Sequence, residues 1–73
     1  MSNEIGWAIE AMRAGGRVRR AGWNGRGMWI AINSSNLGVV SAPFVYMRAA
    51  DGSFVPWLCS ATDLLADDWE SSP

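Results

Sequence analysis

Cys59 is the only cysteine and histidine is absent, so neither a disulfide nor a cysteine–histidine zinc site can staple this 73-residue chain. A chain of this size buries only about 60% of its unfolded surface on folding. Without a staple, the remaining route to stability is self-association. We therefore expect one domain over residues 1–73, with 1–2 and 71–73 as loose tails, working as a homo-oligomer. A lone thiol fits a reducing, cytoplasmic setting. The opening Met-Ser-Asn-Glu-Ile has no basic or apolar leader pattern, so no secretory signal is expected. No apolar run approaches roughly 18 residues, so no membrane span is expected.

Periodicity assigns the elements. Ile5, Ala8, Ile9 and Met12 recur at helical spacing, so residues 3–14 form an amphipathic helix. Ser2 or Asn3 would cap it, Glu4 would sit in its first turn, and Gly15-Gly16 would stop it. A short strand at 17–20 and a strand at 28–33 flank a glycine-rich loop, Gly22 to Gly27. The second strand puts Met28, Ile30 and Ile32 on one face and Trp29, Ala31 and Asn33 on the other. Asp51-Gly52 between two apolar runs signals a type I′ hairpin. A two-residue turn would pair Arg48 with Val55, Met47 with Pro56 and Tyr46 with Trp57. Phe54 and Pro56 would then join the core face, and Trp57 would share the other face with Tyr46 and Arg48. Pro56 cannot donate a ladder bond, which places its strand at an edge or a bulge. Ser60-Ala61-Thr62-Asp63 resembles a capping box opening a short helical turn, and Trp69-Glu70 adds a last strand. The fold class is α+β: an N-terminal helix packed on a small antiparallel sheet, with a short C-terminal helical turn.

Charge is segregated. Residues 11–30 hold five arginines and no acid, whereas residues 51–73 hold five acids and no base. The two halves can pair with each other, or some arginines can meet phosphate. Every cation is arginine, which suits bidentate phosphate contacts and stacking on flat rings. The net charge of −1 argues against duplex nucleic acid as a partner. The five tryptophans are more indole than so small a core accommodates, and Trp23 and Trp57 fall in loop-like surroundings. That favours a binding surface for a planar ligand or a second subunit. Trp7, Trp29 and Trp69 read instead as core or interface.

Catalytic constellations are missing. With no histidine and one cysteine, nucleophile–base pairs have no members. The carboxylates Asp63 and Asp67 read as a cap and a helix-end charge. Gly25-Arg26-Gly27 has neither the spacing nor the strand–helix frame of a dinucleotide fingerprint. No enzyme activity, no catalytic residue, no metal and no cofactor are expected.

Three blocks in order, Arg19-Arg20-Ala21-Gly22-Trp23-Asn24-Gly25-Arg26-Gly27-Met28, then residues 50–58, then Ser60-Ala61-Thr62-Asp63 through Trp69, resemble the Thoeris anti-defence 2 family of phage proteins over roughly residues 4–70. The resemblance implies a sponge. Its members bind a cyclised ADP-ribose signal made by a bacterial TIR-domain defence enzyme and hold it without cleavage. Some relatives bind cyclic oligonucleotide signals of another defence system, and one is described as an anti-CRISPR. They are homo-oligomers, typically tetramers built from dimers, that act in the host cytoplasm with ligand held between subunits. Carried onto this chain, Trp23 and Trp57 would be stacking walls. Asn24, Gly25, Arg26, Gly27 and Met28 would line the same pocket. Ser60, Thr62 and Asp63 would offer hydrogen bonds, and Arg26 or Arg48 would meet pyrophosphate. Ser34–Pro43 is shorter than the corresponding segment of longer relatives. The competing reading is a protein-binding inhibitor of a host nuclease or effector.

Overall fold

The computed structural model describes residues 3–23, 26–33 and 42–73. Among them the element order is α1 (Ile5–Arg13), β1 (Val18–Arg20), β2 (Trp29–Asn33), β3 (Phe44–Arg48), β4 (Phe54–Pro56), α2 (Ala61–Leu64) and β5 (Trp69–Ser71). The strands form an antiparallel sheet of order β4-β3-β2-β1-β5. This is the expected α+β arrangement: one helix on a small antiparallel sheet, with a brief helical turn before the last strand.

Helix α1 ends as the sequence predicts. The Gly16 N–H donates to the Ala11 carbonyl and the Gly15 N–H to the Met12 carbonyl, both at 3.0 Å, the paired bonds of a Schellman stop. Its start differs from expectation. Glu4 occupies the cap position and makes no side-chain cap bond. Asn3 is used elsewhere: its N–H donates to the Asp67 carbonyl at 3.0 Å and its side-chain amide to the Trp69 carbonyl at 3.2 Å. Asn3, one of the two expected caps, instead splints the outer edge of β5; Ser2, the other, lies outside the described residues.

Helix α1 lies over β5, β1 and β2. Where it meets the sheet, Ala8 and Met12 of the helix join Val18, Ile30 and Trp69 in one buried cluster, with Ile5, Trp7 and Ala11 packed at its margin. Ile9 is at the outer edge of the apolar stripe and is exposed. Burying Val18, Ile30 and the indole of Trp69 almost completely stabilises the fold by roughly 1.5–3 kcal/mol per large side chain.

The hairpin register corrects the sequence reading. Tyr46 pairs with Pro56, Met47 with Val55 and Arg48 with Phe54. The Gly52 N–H donates to the Ala49 carbonyl at 2.9 Å and the Ala49 N–H to the Ser53 carbonyl at 2.8 Å, so the loop has three residues, 50–52. A type I′ turn needs positive φ at both central residues; here only Gly52 has it, at +89°. Asp51 instead accepts from the Ser53 N–H at 2.9 Å and the Ser53 hydroxyl at 2.7 Å, an Asx-type arrangement that favours the wider turn. A one-residue slip moves every side chain on β4 to the other face. Phe54 and Pro56 therefore join Tyr46, Arg48 and Trp29 on the face away from α1. Val55 and Trp57 join Val45 and Met47 on the α1 side, where Trp57 packs against the core.

The C-terminus is a second correction. Strand β5 runs through Ser71, which pairs with Val18, and the Ser72 N–H donates to the Arg17 carbonyl at 2.8 Å. Part of the expected loose tail is therefore tied into the sheet, because β1 offers it an otherwise unsatisfied edge.

Candidate ligand cleft

The loop after β1 turns sharply. The Trp23 N–H donates to the Arg20 carbonyl at 3.2 Å, and the Ala21 N–H donates to the Asp68 carbonyl at 3.0 Å. Gly22 brings its own N–H to Asp68 Oδ2 at 2.9 Å. Arg20 then reaches back across the junction. Its Nε donates to Asp68 Oδ1 at 2.7 Å and its Nη1 to Asp63 Oδ1 at 2.8 Å. The Arg20 and Asp63 side chains are only 17% and 14% exposed, so this pair is screened far less than a surface bridge.

The carboxylates respond to that cation. The Arg20 guanidinium holds Asp68 below the ordinary carboxylate range; burial opposes it, and the Gly22 N–H assists. Burial alone would push Asp63 up, but hydrogen bonds from Arg20, Trp23 and the Ser60 hydroxyl outweigh it and the carboxyl ends below its usual range. Hydrogen bonds to Asp68 and then Asp63 raise Arg20 above the ordinary guanidinium value.

Beside this junction lies a cleft of about 260 Å³ lined by Arg19, Arg20, Ala21, Trp23, Arg26, Gly27, Met28 and Glu70. It joins a half-buried indole to arginines, the combination that stacks on a flat ring and meets an anion. Arg19 is held by Glu70 at 3.0 Å and Arg20 by its two carboxylates. Arg26 is exposed and lines the cleft from the far end of the loop that also carries Trp23. A larger, mostly apolar cleft of about 710 Å³ opens between α1 and the ends of β2 and β3, lined by Ile9, Met12, Ile32 and Val45 among others; none of the predicted site residues lines it.

The structure thus brings together Trp23, Arg26, Gly27 and Met28 from the predicted set. Asn24 and Gly25 lie outside the described residues. Trp57 is half-buried on the α1 side of the sheet, where it meets Trp69 edge-on at 6.1 Å; Trp23 meets the same ring edge-on at 5.5 Å. Both expected walls pack against Trp69, and among the described residues Trp57 is not part of the cleft that Trp23 lines. Ser60 caps α2, its hydroxyl accepting from the Asp63 N–H at 3.1 Å. Thr62 is exposed on α2. Asp63 serves Arg20 and, through the same oxygen, the Trp23 indole N–H at 3.2 Å. Arg48 is on the face away from Trp57 and donates to the Gly27 carbonyl at 3.0 Å.

Sequence reasoning did not single out Arg20, Asp68 or Trp69 for the site. The signal was the charge segregation: the arginine-rich and acid-rich stretches meet at β1 and β5, where Arg19 pairs with Glu70 and Arg20 with Asp68.

The far face of the sheet carries a second aromatic group. Trp29, Tyr46 and Phe54 touch edge-on or tilted, with centroids 5.8 to 6.1 Å apart. Arg17 lies 4.3 Å over the Trp29 ring, a cation–π contact. Phe54 remains 63% exposed. Among the described residues no helix is long and apolar enough to cross a membrane.

Comparison with known proteins places this arrangement. The sequence matches the Thoeris anti-defense 2-like domain over residues 3–72. Thoeris anti-defense 2 of Bacillus phage SP01 is 30% identical over 80 aligned positions, covering 90% of this chain and 90% of that protein. The chain belongs to the Thoeris anti-defense 2-like family, and its role is phage anti-defence.

Proposed function

We propose that the protein is a non-catalytic sponge that captures a nucleotide immune signal, a cyclised ADP-ribose or a cyclic oligonucleotide, and withholds it from its effector in the host cytoplasm. The observation that carries this reading is the cleft that Trp23 and Arg26 both line. A base stacked on an aromatic ring gains roughly 1–3 kcal/mol, and a charge-assisted phosphate contact adds to it. At about 260 Å³ the cleft is small beside the roughly 300–1,000 Å³ typical of ligand pockets. A second copy completing it is consistent with a homo-oligomer, a tetramer built from dimers, with Trp57, Ser60 or Thr62 of a neighbouring subunit supplying the opposite wall.

The test is capture and release. The protein is mixed with cyclic ADP-ribose isomers and cyclic di- and trinucleotides, freed of unbound ligand, heat-denatured, and the released material identified. Intact release is the expected result. An altered product would make the protein an enzyme, and retention of no panel member would remove the sponge.

A second reading, a protein-binding inhibitor of a host nuclease or effector, draws on the exposed Phe54, Leu58 and Leu65. It becomes the better reading if the panel fails.

A further inference from the structure

Asp63 stands at the meeting point of three aromatic and ionic contacts. Its Oδ1 accepts from Arg20 Nη1 at 2.8 Å and from Trp23 Nε1 at 3.2 Å. Its backbone carbonyl accepts from Trp69 Nε1 at 3.2 Å. Trp69 in turn sets its ring against Trp23 at an interplanar angle of 79°. The Trp23 backbone is fixed separately by its bond to the Arg20 carbonyl.

An indole on a loop has two soft side-chain torsions, and the second is broad. The edge contact with Trp69 restrains the ring but leaves it free to slide. The Nε1 bond to a carboxylate removes that freedom, because the N–H lies in the ring plane and must point at Oδ1. Charge assistance strengthens the bond. Arg20 keeps the acceptor ionised and in place, while its own Nε is anchored on Asp68.

We infer that Asp63, held by Arg20, is the positioning residue that sets the orientation of the Trp23 ring in the cleft, and that it does not itself contact ligand. The Trp23 N–H is consumed by Asp63, so the ring offers its face and not a hydrogen bond. A ligand at this wall is chosen by flatness, and hydrogen-bonding selectivity comes from other groups. The consequence for ligand rests on the sponge reading; the orientation of the ring does not.

The inference is tested on the unliganded protein. The Trp23 indole N–H signal is identified in a ¹⁵N-labelled sample by its loss in Trp23→Phe. In the wild type that signal should move as the pH is lowered through the depressed Asp63 carboxyl value. The charged and titratable groups around that carboxyl are Arg20, Asp68 through Arg20, and the Cys59 thiol, which burial and then the Asp63 charge hold above its ordinary value. Asp68→Asn shows whether Asp68 contributes to the step. Asp63→Ala should abolish the step and speed exchange of the Trp23 indole proton by about tenfold or more, the loss expected for a hydrogen bond to a charged group. The Trp29 and Trp57 signals should stay in place. If Asp63→Ala does not fold, Asp63→Asn serves, since it keeps an acceptor oxygen: the signal should stay near its hydrogen-bonded position and cease to titrate. A wild-type Trp23 signal indifferent to pH, or one unmoved by removal of Asp63, would overturn the inference. So would equal movement of all indole signals.

A second arm uses the nucleotide panel. Capture should weaken in Asp63→Ala and in Trp23→Ala, and the double variant should be no worse than Trp23→Ala alone, because Asp63 acts through that ring. Added loss in the double variant would make Asp63 a direct ligand contact. If the wild type captures nothing, the sponge reading falls while the indole result still decides the orientation.

Discussion

Arg48 Nη1 donates to the Gly27 carbonyl at 3.0 Å, so a side chain from β3 holds the end of the loop that carries Trp23 and Arg26. Gly27 has φ +74°, and a β-carbon there would lie 2.7 Å from that same Arg48 nitrogen. The arginine tip can move aside at small cost; the backbone conformation cannot be relieved in that way. Gly27→Ala should therefore destabilise by about 1–2 kcal/mol, read as a lowered midpoint in chemical denaturation. Arg48→Ala should cost less than about 1 kcal/mol, since the bond is exposed.

Removing Arg20 has a larger effect. Arg20→Gln leaves Asp63 and Asp68 facing a neutral group at the same junction, and we expect a loss of about 2–4 kcal/mol at neutral pH. Thermal unfolding with and without the substitution measures it.

The acid response follows from the same junction. Both carboxyls lie below their ordinary range in the folded state, so near that range the unfolded chain binds more protons than the folded one. Their contribution is complete above the unfolded value of about 3.9 and is lost as the pH falls through the lower folded values. Melting temperature should be insensitive to these two groups between about pH 5 and 8, then drop below about pH 4. In Arg20→Gln this acid response should shrink. Both carboxyls lose the contact that lowers them most, so the loss of stability below about pH 4 should be smaller than in the wild type.

On the sponge reading, with ligand held by a homo-oligomer, Trp23 and Phe54 separate binding from assembly. Trp23→Ala should weaken nucleotide capture by about tenfold or more and leave oligomer size unchanged; a shift to smaller species would make the indole an interface residue. Phe54→Asp should do the opposite, weakening self-association in sedimentation while preserving the circular-dichroism signature of the fold. Phe54 is the most exposed ring of the Trp29–Tyr46–Phe54 group, and a charge there cannot be desolvated cheaply at an interface.

Trp69→Ala should be the most damaging of the tryptophan truncations. The ring is 1% exposed and touches both Trp23 and Trp57, so its loss leaves a cavity costing about 3–5 kcal/mol.

What the sequence made legible was local. The helical spacing of Ala8 and Met12, the Gly15-Gly16 stop, the Ser60 cap and the strand character of residues 29–33 each depend on neighbours within a few positions, and each was readable there. The hairpin was legible as a hairpin but not in register. Its turn is selected by the Asp51 side chain bonding Ser53, and that choice decides which face Phe54 and Trp57 occupy. Asn3 was misread because its competing partner, Asp67, is far along the chain. At the cleft, Trp23 and Arg26 were legible as residue types in a glycine-rich loop. That Asp63 would point at Trp23, and that Trp69 would carry both indoles, depends on β1 and β5 lying side by side, which local pattern does not encode.

Pro56 has a consequence for how copies of this chain can meet. The Trp57 N–H points inward, donating to the Val45 carbonyl at 3.0 Å. Along a strand these directions alternate, so the missing donor of Pro56 falls on the outward side of β4, the rim of the sheet. An approaching strand would find a rung absent there, and zipper-like extension into fibres is discouraged. Contact between molecules is thereby steered away from main-chain bonding and toward the flat of the sheet, where side chains determine which partner fits.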